Sequence, residues 1–162
     1  MYSYSKITTS EIDAAISKNV HRVLASSYTV YLVLFLAGVI LDIIYQIKIF
    51  INPNIGIIGT VFLAFATLLI VWAQNTSRNL DTKNISKETF CKGPYCFTRS
   101  PTHWGLFILM LGFGIIANAF FVVLFTMISF IVTKIVFLKK EEQMLANKYG
   151  NPYREYKKAV RL

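Results

Sequence analysis

Polar and apolar positions fall into long blocks along this chain. From about Tyr28 to Ile51, and again from about Ile55 to Ala73, nearly every residue is apolar, and only Asn52-Pro53-Asn54 separates the runs. So short a break, built on a proline, predicts a tight helical hairpin. A third block, Trp104 to Leu138, holds 35 residues with Lys134 as its one charge. As a single helix it would be roughly 52 Å long, against a hydrocarbon core about 30 Å thick. It is therefore expected to fold back near Ala117-Asn118, with Gly112 and Gly114 loosening the approach. The expected fold is an all-α integral membrane protein, a single membrane domain over 1–162. Its four transmembrane helices are placed at 28–51, 55–73, 101–116 and 119–138.

Both ends carry a different pattern. Ser10-Glu11-Ile12-Asp13 reads as a capped helix start, and Ile12, Ile16, Val20, Val23 and Leu24 then share one face. Residues 1–27 are expected to form an N-terminal amphipathic helix, lying in the headgroup layer or leading into the first span. They show neither the apolar core nor the cleavage site of a signal peptide. At the other end, 139–162 is expected to form cytoplasmic tail helices. The first continues to Tyr149 and stops at Gly150, and the last runs from Tyr153 to Val160 after an Asn151 cap and Pro152.

Composition agrees with the blocks. Hydrophobic residues make up 55% of the 162 and charged residues 15%, where a soluble domain carries about 25% charged. The net charge of +9 would point to nucleic acid in a soluble protein, but no soluble segment is long enough to build such a surface. The charges report topology instead. Residues 1–27 carry three basic and two acidic side chains, 74–103 five and two, and 139–162 seven and three. The turns at 52–54 and 117–119 carry none. An even number of spans puts all three basic segments on one face, which the positive-inside rule makes cytoplasmic. The protein is thus expected to be multi-pass with both termini cytoplasmic, and its partner is the lipid bilayer. Tyr28, Tyr31, Trp72 and Trp104 fall at that boundary as an aromatic belt.

The candidate chemistry lies where the cytoplasmic pieces meet. Gly93-Pro94-Tyr95 makes a rigid turn, and Arg99 then arrives at the surface just ahead of Pro101, which suits the first turn of a helix. Free N–H groups at a helix start beside an arginine suit a carboxylate or phosphate; a lipid-phosphate anchor is the plainer reading. Glu141 and Glu142 follow Lys139 and Lys140. Such a run is commonly a solvated helix face, yet two carboxylates just outside the bilayer also suit an ammonium group. Together the two sites describe an amino-acid-like ligand.

The stretch Gly93-Pro94-Tyr95-x-x-x-Arg99-x-Pro101-x-x-x-Gly105 precedes about thirty apolar residues. Glu141-Glu142-x-x-Leu145-x-x-x-Tyr149-Gly150-x-x-Tyr153-x-x-Tyr156 follows them. Over roughly 60–162 this arrangement resembles the isoprenylcysteine carboxyl methyltransferase family, which forms a wider group with the phospholipid N-methyltransferases. The resemblance implies a cytoplasm-facing pocket for S-adenosylmethionine, formed by Tyr95, Arg99, Ser100, Pro101, His103, Gly105, Glu141 and Glu142. It also implies a lipophilic or prenylated acceptor entering from the bilayer. The family's Arg-His-Pro-x-Tyr reads here with Ser100 for the His and His103 for the Tyr, and both replacements keep a hydrogen-bonding side chain. Arg99 is expected to position the acceptor, Glu141 and Glu142 to hold the cofactor's ammonium, and His103 to orient cofactor or acceptor. The catalytic pair is then Arg99 and His103. A carboxylate acceptor needs no general base, whereas an amine must lose a proton, to His103 or a glutamate.

Two further features are assigned no chemistry. Cys91 and Cys96 are five apart, unlike zinc pairs, and on a cytoplasmic face they are expected as reduced thiols; no metal is expected. Asp42 lies inside the first apolar block, where acids are functional suspects, but a structural contact with Tyr45 or Lys48 is the simpler account. Two other functions stay open: a sterol-reductase-like oxidoreductase using NADPH, and a non-catalytic membrane scaffold. No obligate protein partner is expected.

Overall fold

The computed structural model describes residues 9–78 and 87–160, with side chains from residue 25 onward except those of Pro53, Lys87, Thr89 and Lys148. All the regular elements among the described residues are helical. In chain order they are α1 (Thr9–Tyr45), α2 (Gly56–Arg78), α3 (Lys87–Phe90), α4 (Pro101–Ile116), α5 (Phe120–Val132), α6 (Leu138–Tyr149) and α7 (Asn151–Ala159). Short 3-10 turns cover Pro53–Ile55 and Gly93–Cys96, and a π-turn, Thr133–Phe137, joins α5 to α6.

Three stretches are long and apolar enough to cross a membrane: Ala25–Tyr45, Gly56–Arg78 and Phe120–Asn147. The fourth apolar helix, α4, is shorter at 16 residues, or about 24 Å. The large side chains face outward, among them Leu32, Val33, Leu36 and Ile40 on α1 and Phe65 and Leu68 on α2, each about half exposed or more. Small residues face inward. Gly59, Ala66 and Ala73, seven apart, are the buried positions of α2, and Gly105 and Gly112 meet them from α4. A Cβ on Gly59 would lie 2.7 Å from the Gly112 carbonyl oxygen, and one on Gly112 2.8 Å from that of Gly59. Close approach through small residues is how helices associate in lipid, where burying large apolar side chains brings no advantage. By the same logic Gly38 of α1 sits against the backbone of Val122 in α5. The bundle is thus two tight pairs, α2 with α4 and α1 with α5, joined where α4 meets α5.

Several helix limits differ from those expected. Of the two expectations for 1–27, the described part shows the helix leading into the first span and not a separate interfacial one, because α1 runs unbroken from Thr9 to Tyr45; nothing in Ala25-Ser26-Ser27-Tyr28 interrupts a helix. Residues 1–8, and the side chains of the expected apolar face at Ile12, Ile16, Val20, Val23 and Leu24, lie outside the described residues. The same helix ends at Tyr45 rather than 51, with Gln46 in the left-handed region at φ +50°. The reason lies on another segment. Ile49 and Phe50 both donate their backbone N–H to Asn118 Oδ1 at 2.8 Å, and Asn118 Nδ2 donates to the Phe50 carbonyl at 2.7 Å. Asn118 itself makes the α4–α5 turn at φ +52°. α2 extends to Arg78 rather than 73. At the tail, Gly150 takes φ +66° and caps α7, so Asn151 is its first residue and not its cap.

Asp42 has the structural role expected, with a different partner. Its carboxylate accepts the backbone N–H groups of Phe121 (3.0 Å) and Val122 (2.8 Å). These belong to the first turn of α5, whose N–H groups have no partner within the helix. A charge at that end also complements the helix dipole.

Candidate active site

Arg99 lies in the irregular segment just before α4, and Ser100 and Pro101 begin that helix. The Arg99 Nη1 sits 2.7 Å from Glu142 Oε1, and Lys157 Nζ sits 2.7 Å from Glu142 Oε2. One carboxylate therefore joins three chain segments: the lead into α4, the start of α6, and α7. The side chain of Glu142 is 8% exposed and that of Arg99 15%. A charge so enclosed is tolerable only when paired, and Glu142 is paired twice. Its neighbour Glu141 is half-buried and makes no ion pair among the described residues.

α7 is held in place by aromatic packing. Tyr153, Tyr156 and Val160 are buried together, with Phe90, Leu145 and Tyr149 against them. The Phe90 ring contacts those of Tyr149, Tyr153 and Tyr156. Tyr156 Oη donates to the Tyr95 carbonyl at 2.6 Å, fastening α7 to the Gly93–Cys96 turn. Burial, reinforced by the nearby Tyr95, pushes Tyr156 up to about 12, and burial likewise raises Tyr95 and Tyr153. These phenols stay neutral, and that of Tyr156 serves as a donor.

In that turn the cysteines depart from expectation. Cys91 and Cys96 are joined as a disulfide, not held as separate thiols. The Gly93-Pro94 turn, with Gly93 at φ +55°, doubles the loop back and brings their Cα atoms to 4.5 Å, within the range a disulfide spans.

His103 is buried on the side of α4 that meets α1. Its Nε2 lies 3.2 Å from Ser27 Oγ, and its ring stacks on Tyr28 at 5.9 Å between centroids. Beside His103 is a small hollow of about 40 Å³, whose wall includes Tyr31, Arg99, Ser100, Thr133 and Lys134. A larger hollow of about 380 Å³ lies on the other side of Tyr31, among Tyr28, Leu32, Gln74, Leu106 and Met110. Arg99, Ser100, His103, Glu141 and Glu142 are thus assembled around one end of the bundle, and Tyr95 and the buried Pro101 flank them. Gly105 is placed otherwise. It faces Ile70 and Ala66 of α2, where a Cβ would collide with the Ile70 side chain, so the structure gives it a packing reason.

Residues 54–152, more than half of the chain, match the phospholipid methyltransferase family. The chain belongs to that family. It is the wider group to which the Gly93–Gly105 and Glu141–Tyr156 patterns pointed, and by family and by its apolar helices the protein is a membrane methyltransferase. No curated protein and no solved structure matches it. The matched region begins at α2's threshold and leaves out α1, the helix that carries Ser27, Tyr28 and Tyr31.

Those three residues, with Thr133 and Lys157, were absent from the sequence-derived site. Tyr28 and Tyr31 read along the chain as an aromatic belt. Thr133 did leave a signal: Thr126, Ser129 and Thr133 are buried hydroxyls on one face of an otherwise apolar stretch.

Proposed function

We propose that this member of the family is an S-adenosylmethionine-dependent methyltransferase embedded in the bilayer and acting on a lipophilic acceptor. In this reading α4 crosses as a short fourth span and both termini face the cytoplasm, as the basic segments favour. The observation that carries it is the Arg99–Glu142–Lys157 cluster, assembled beside His103 from three separate segments. It gathers charge from three segments at the edge of an apolar bundle and beside a hollow.

The residues fit the cofactor. Glu141, half-buried and without an ion pair among the described residues, suits the ammonium of its methionyl end, and Arg99 suits a carboxylate. The adjoining hollow of about 380 Å³, mostly apolar in its lining, falls within the range of about 300–1,000 Å³ typical of small-molecule sites and suits the acceptor's apolar part. When bound, the sulfonium supplies a methyl group already activated for displacement. What remains for the protein is alignment and exclusion of water. Glu142 fixes the Arg99 guanidinium and α7, Ser27 and Tyr28 fix the His103 ring, and the apolar walls of α1, α2 and α4 keep water out. A carboxylate acceptor reacts as it stands. An amine acceptor gives up a proton, for which Glu141 and His103 are the available groups. The acceptor most in keeping with the paired motifs is the carboxylate of an isoprenylcysteine-like lipid.

Purified protein in detergent should be stabilised against heat by S-adenosylmethionine and by its demethylated product, increasingly with ligand concentration. It should also transfer labelled methyl groups to components of a lipid extract or to a farnesyl-cysteine analogue. Stabilisation by NADPH with no response to either sulfur compound would replace this reading with that of a reductase.

A further inference from the structure

The chain has two cysteines, and they face each other across the turn that leads to Arg99. On the face proposed as cytoplasmic, the cellular thiol pool ordinarily keeps cysteines reduced, yet Cys91 and Cys96 are joined. The turn itself brings them together. Tyr95 donates its backbone N–H to the Lys92 carbonyl, and Phe97 and Thr98 donate theirs to that of Pro94, all at 3.2 Å. With Gly93 at φ +55°, these bonds set the two Cα atoms 4.5 Å apart by means that involve no sulfur, so two thiols here stay close enough to join again. Both residues are half-buried, within reach of a small thiol. They are 5 apart in sequence, and so short a loop gains least from being closed. An accessible disulfide on a short loop is of the reducible kind.

The bond braces two limbs that belong to different parts of the molecule. The turn and the limb leaving it are keyed to the bundle. Gly93 presses against α2, where a Cβ would lie 2.8 Å from Thr76 Oγ1 and 3.2 Å from Trp72 Nε1. The Tyr95 side chain is hydrogen-bonded with Thr102 of α4 and Ser77 of α2. Arg99, paired with Glu142, follows shortly after Cys96. The limb entering the turn is bound to α7 instead: Phe90 and Cys91 pack on Tyr153, Tyr156 and Val160, and the Phe90 ring meets those of Tyr149, Tyr153 and Tyr156. The disulfide therefore ties the limb that grips α7 to the limb that delivers Arg99. With it open, the polar links that hold α7 to the site are the Tyr156 bond to the Tyr95 carbonyl and the ion pair of Lys157, itself nearly half exposed, with Glu142.

We propose that Cys91 and Cys96 are a reversible thiol–disulfide pair, exchanging with a low-molecular-weight thiol of the glutathione kind, that locks α7 onto the Arg99–Glu142 site when closed and loosens it when open. In opening, a glutathione thiolate attacks one sulfur, the S–S bond breaks, and the other sulfur leaves as a thiolate that takes up a proton. A second glutathione thiolate attacks the mixed disulfide and frees the first cysteine, which is protonated in turn. The protein thus gains two electrons and two protons, and one glutathione disulfide is released. Closing reverses these steps, with glutathione disulfide as the oxidant. Control of methyl transfer rests on the methyltransferase reading; the thiol state and the seating of α7 do not.

The test equilibrates the full chain in detergent with graded ratios of glutathione to its disulfide. Free thiols are counted by a maleimide that adds mass, and with two cysteines in the chain every thiol counted belongs to this pair. Both thiols should appear over ratios like those of a cytoplasm. Trypsin cleavage of α7, at Arg154, Lys157 or Lys158, should quicken about tenfold with the same midpoint. The dissociation constant for S-adenosylhomocysteine, the demethylated donor, should rise about fivefold or more there too. The double variant Cys91→Ser with Cys96→Ser should behave as the open form at every ratio. A pair that stays closed in the most reducing mixture, or stays as two thiols in glutathione disulfide alone, overturns the proposal without recourse to any variant. So does tail cleavage, or a measurable S-adenosylhomocysteine affinity, that is the same with the pair open and closed, and so does a double variant that still responds to glutathione. Cleavage that follows the thiols while S-adenosylhomocysteine binds in neither state leaves the lock standing and removes the methyltransferase reading.

Discussion

The two ends of the helix bundle treat their polar residues in opposite ways. At the end formed by the 46–54 and 117–119 turns, Asp42 and Asn118 spend their hydrogen-bonding capacity on backbone. Asp42 closes the open start of α5, and Asn118 accepts two N–H groups from the run after α1 and donates to one of its carbonyls. At the other end charge is gathered into an ion-paired cluster. One carboxylate, Glu142, is shared by two cations, and Glu141 makes no ion pair among the described residues. Polar groups buried for stability are matched. Glu141, half-buried and without an ion pair among the described residues, is the group that the proposed donor's ammonium would match.

Removing members of each set should expose the contrast. The largest effect is expected from Glu142→Ala, which withdraws the carboxylate that Arg99 and Lys157 share. Breaking so enclosed a pair should cost about 2–3 kcal/mol of stability, the lower side reflecting the half-exposed Lys157. Methyl transfer should fall together with it, and chemical unfolding plus a transfer assay reads both. Asp42→Ala should cost about 1–2 kcal/mol through loss of the α5 cap, with the acceptor KM unchanged; a raised KM at full stability would erase the distinction between the ends. Tyr156→Phe should cost about 1 kcal/mol, one hydrogen bond, and loosen α7 from the Gly93–Cys96 turn, seen as faster proteolysis at the tail. Thr133→Val should be the mildest for stability, about 0.5–1 kcal/mol, because it removes one hydroxyl hydrogen bond, that with Tyr31.

The sequence carried the helices well wherever the hydrophobic pattern was long. The turn at Ala117-Asn118, the stop at Gly150 and the convergence of Arg99 with Glu142 were all legible, the last through a recurring motif and not through periodicity. What escaped was set by contacts distant along the chain. α1 stops at Tyr45 because Asn118, more than seventy residues on, captures the backbone of Ile49 and Phe50, and no local signal announces that. Asp42 was read as a partner of Tyr45 or Lys48 because those are near in sequence, while its true partners are in α5. Glu141 and Glu142 looked alike as neighbours, yet a turn of about 100° between adjacent helix positions sends one into an ion pair and leaves the other half-buried. Tyr31 looked like a belt residue because a belt and a pocket wall share the same depth.

Asn118 has one more consequence. It stitches the loop after α1 to the corner between α4 and α5, and so clamps two of the bundle's three joints at a single point. A frame riveted at one end like a clothes-peg yields only at its jaws. Whatever breathing admits a lipid tail between α1 and α4 must therefore widen toward Tyr28 and Tyr31, on the side where methyl donor and acceptor would meet.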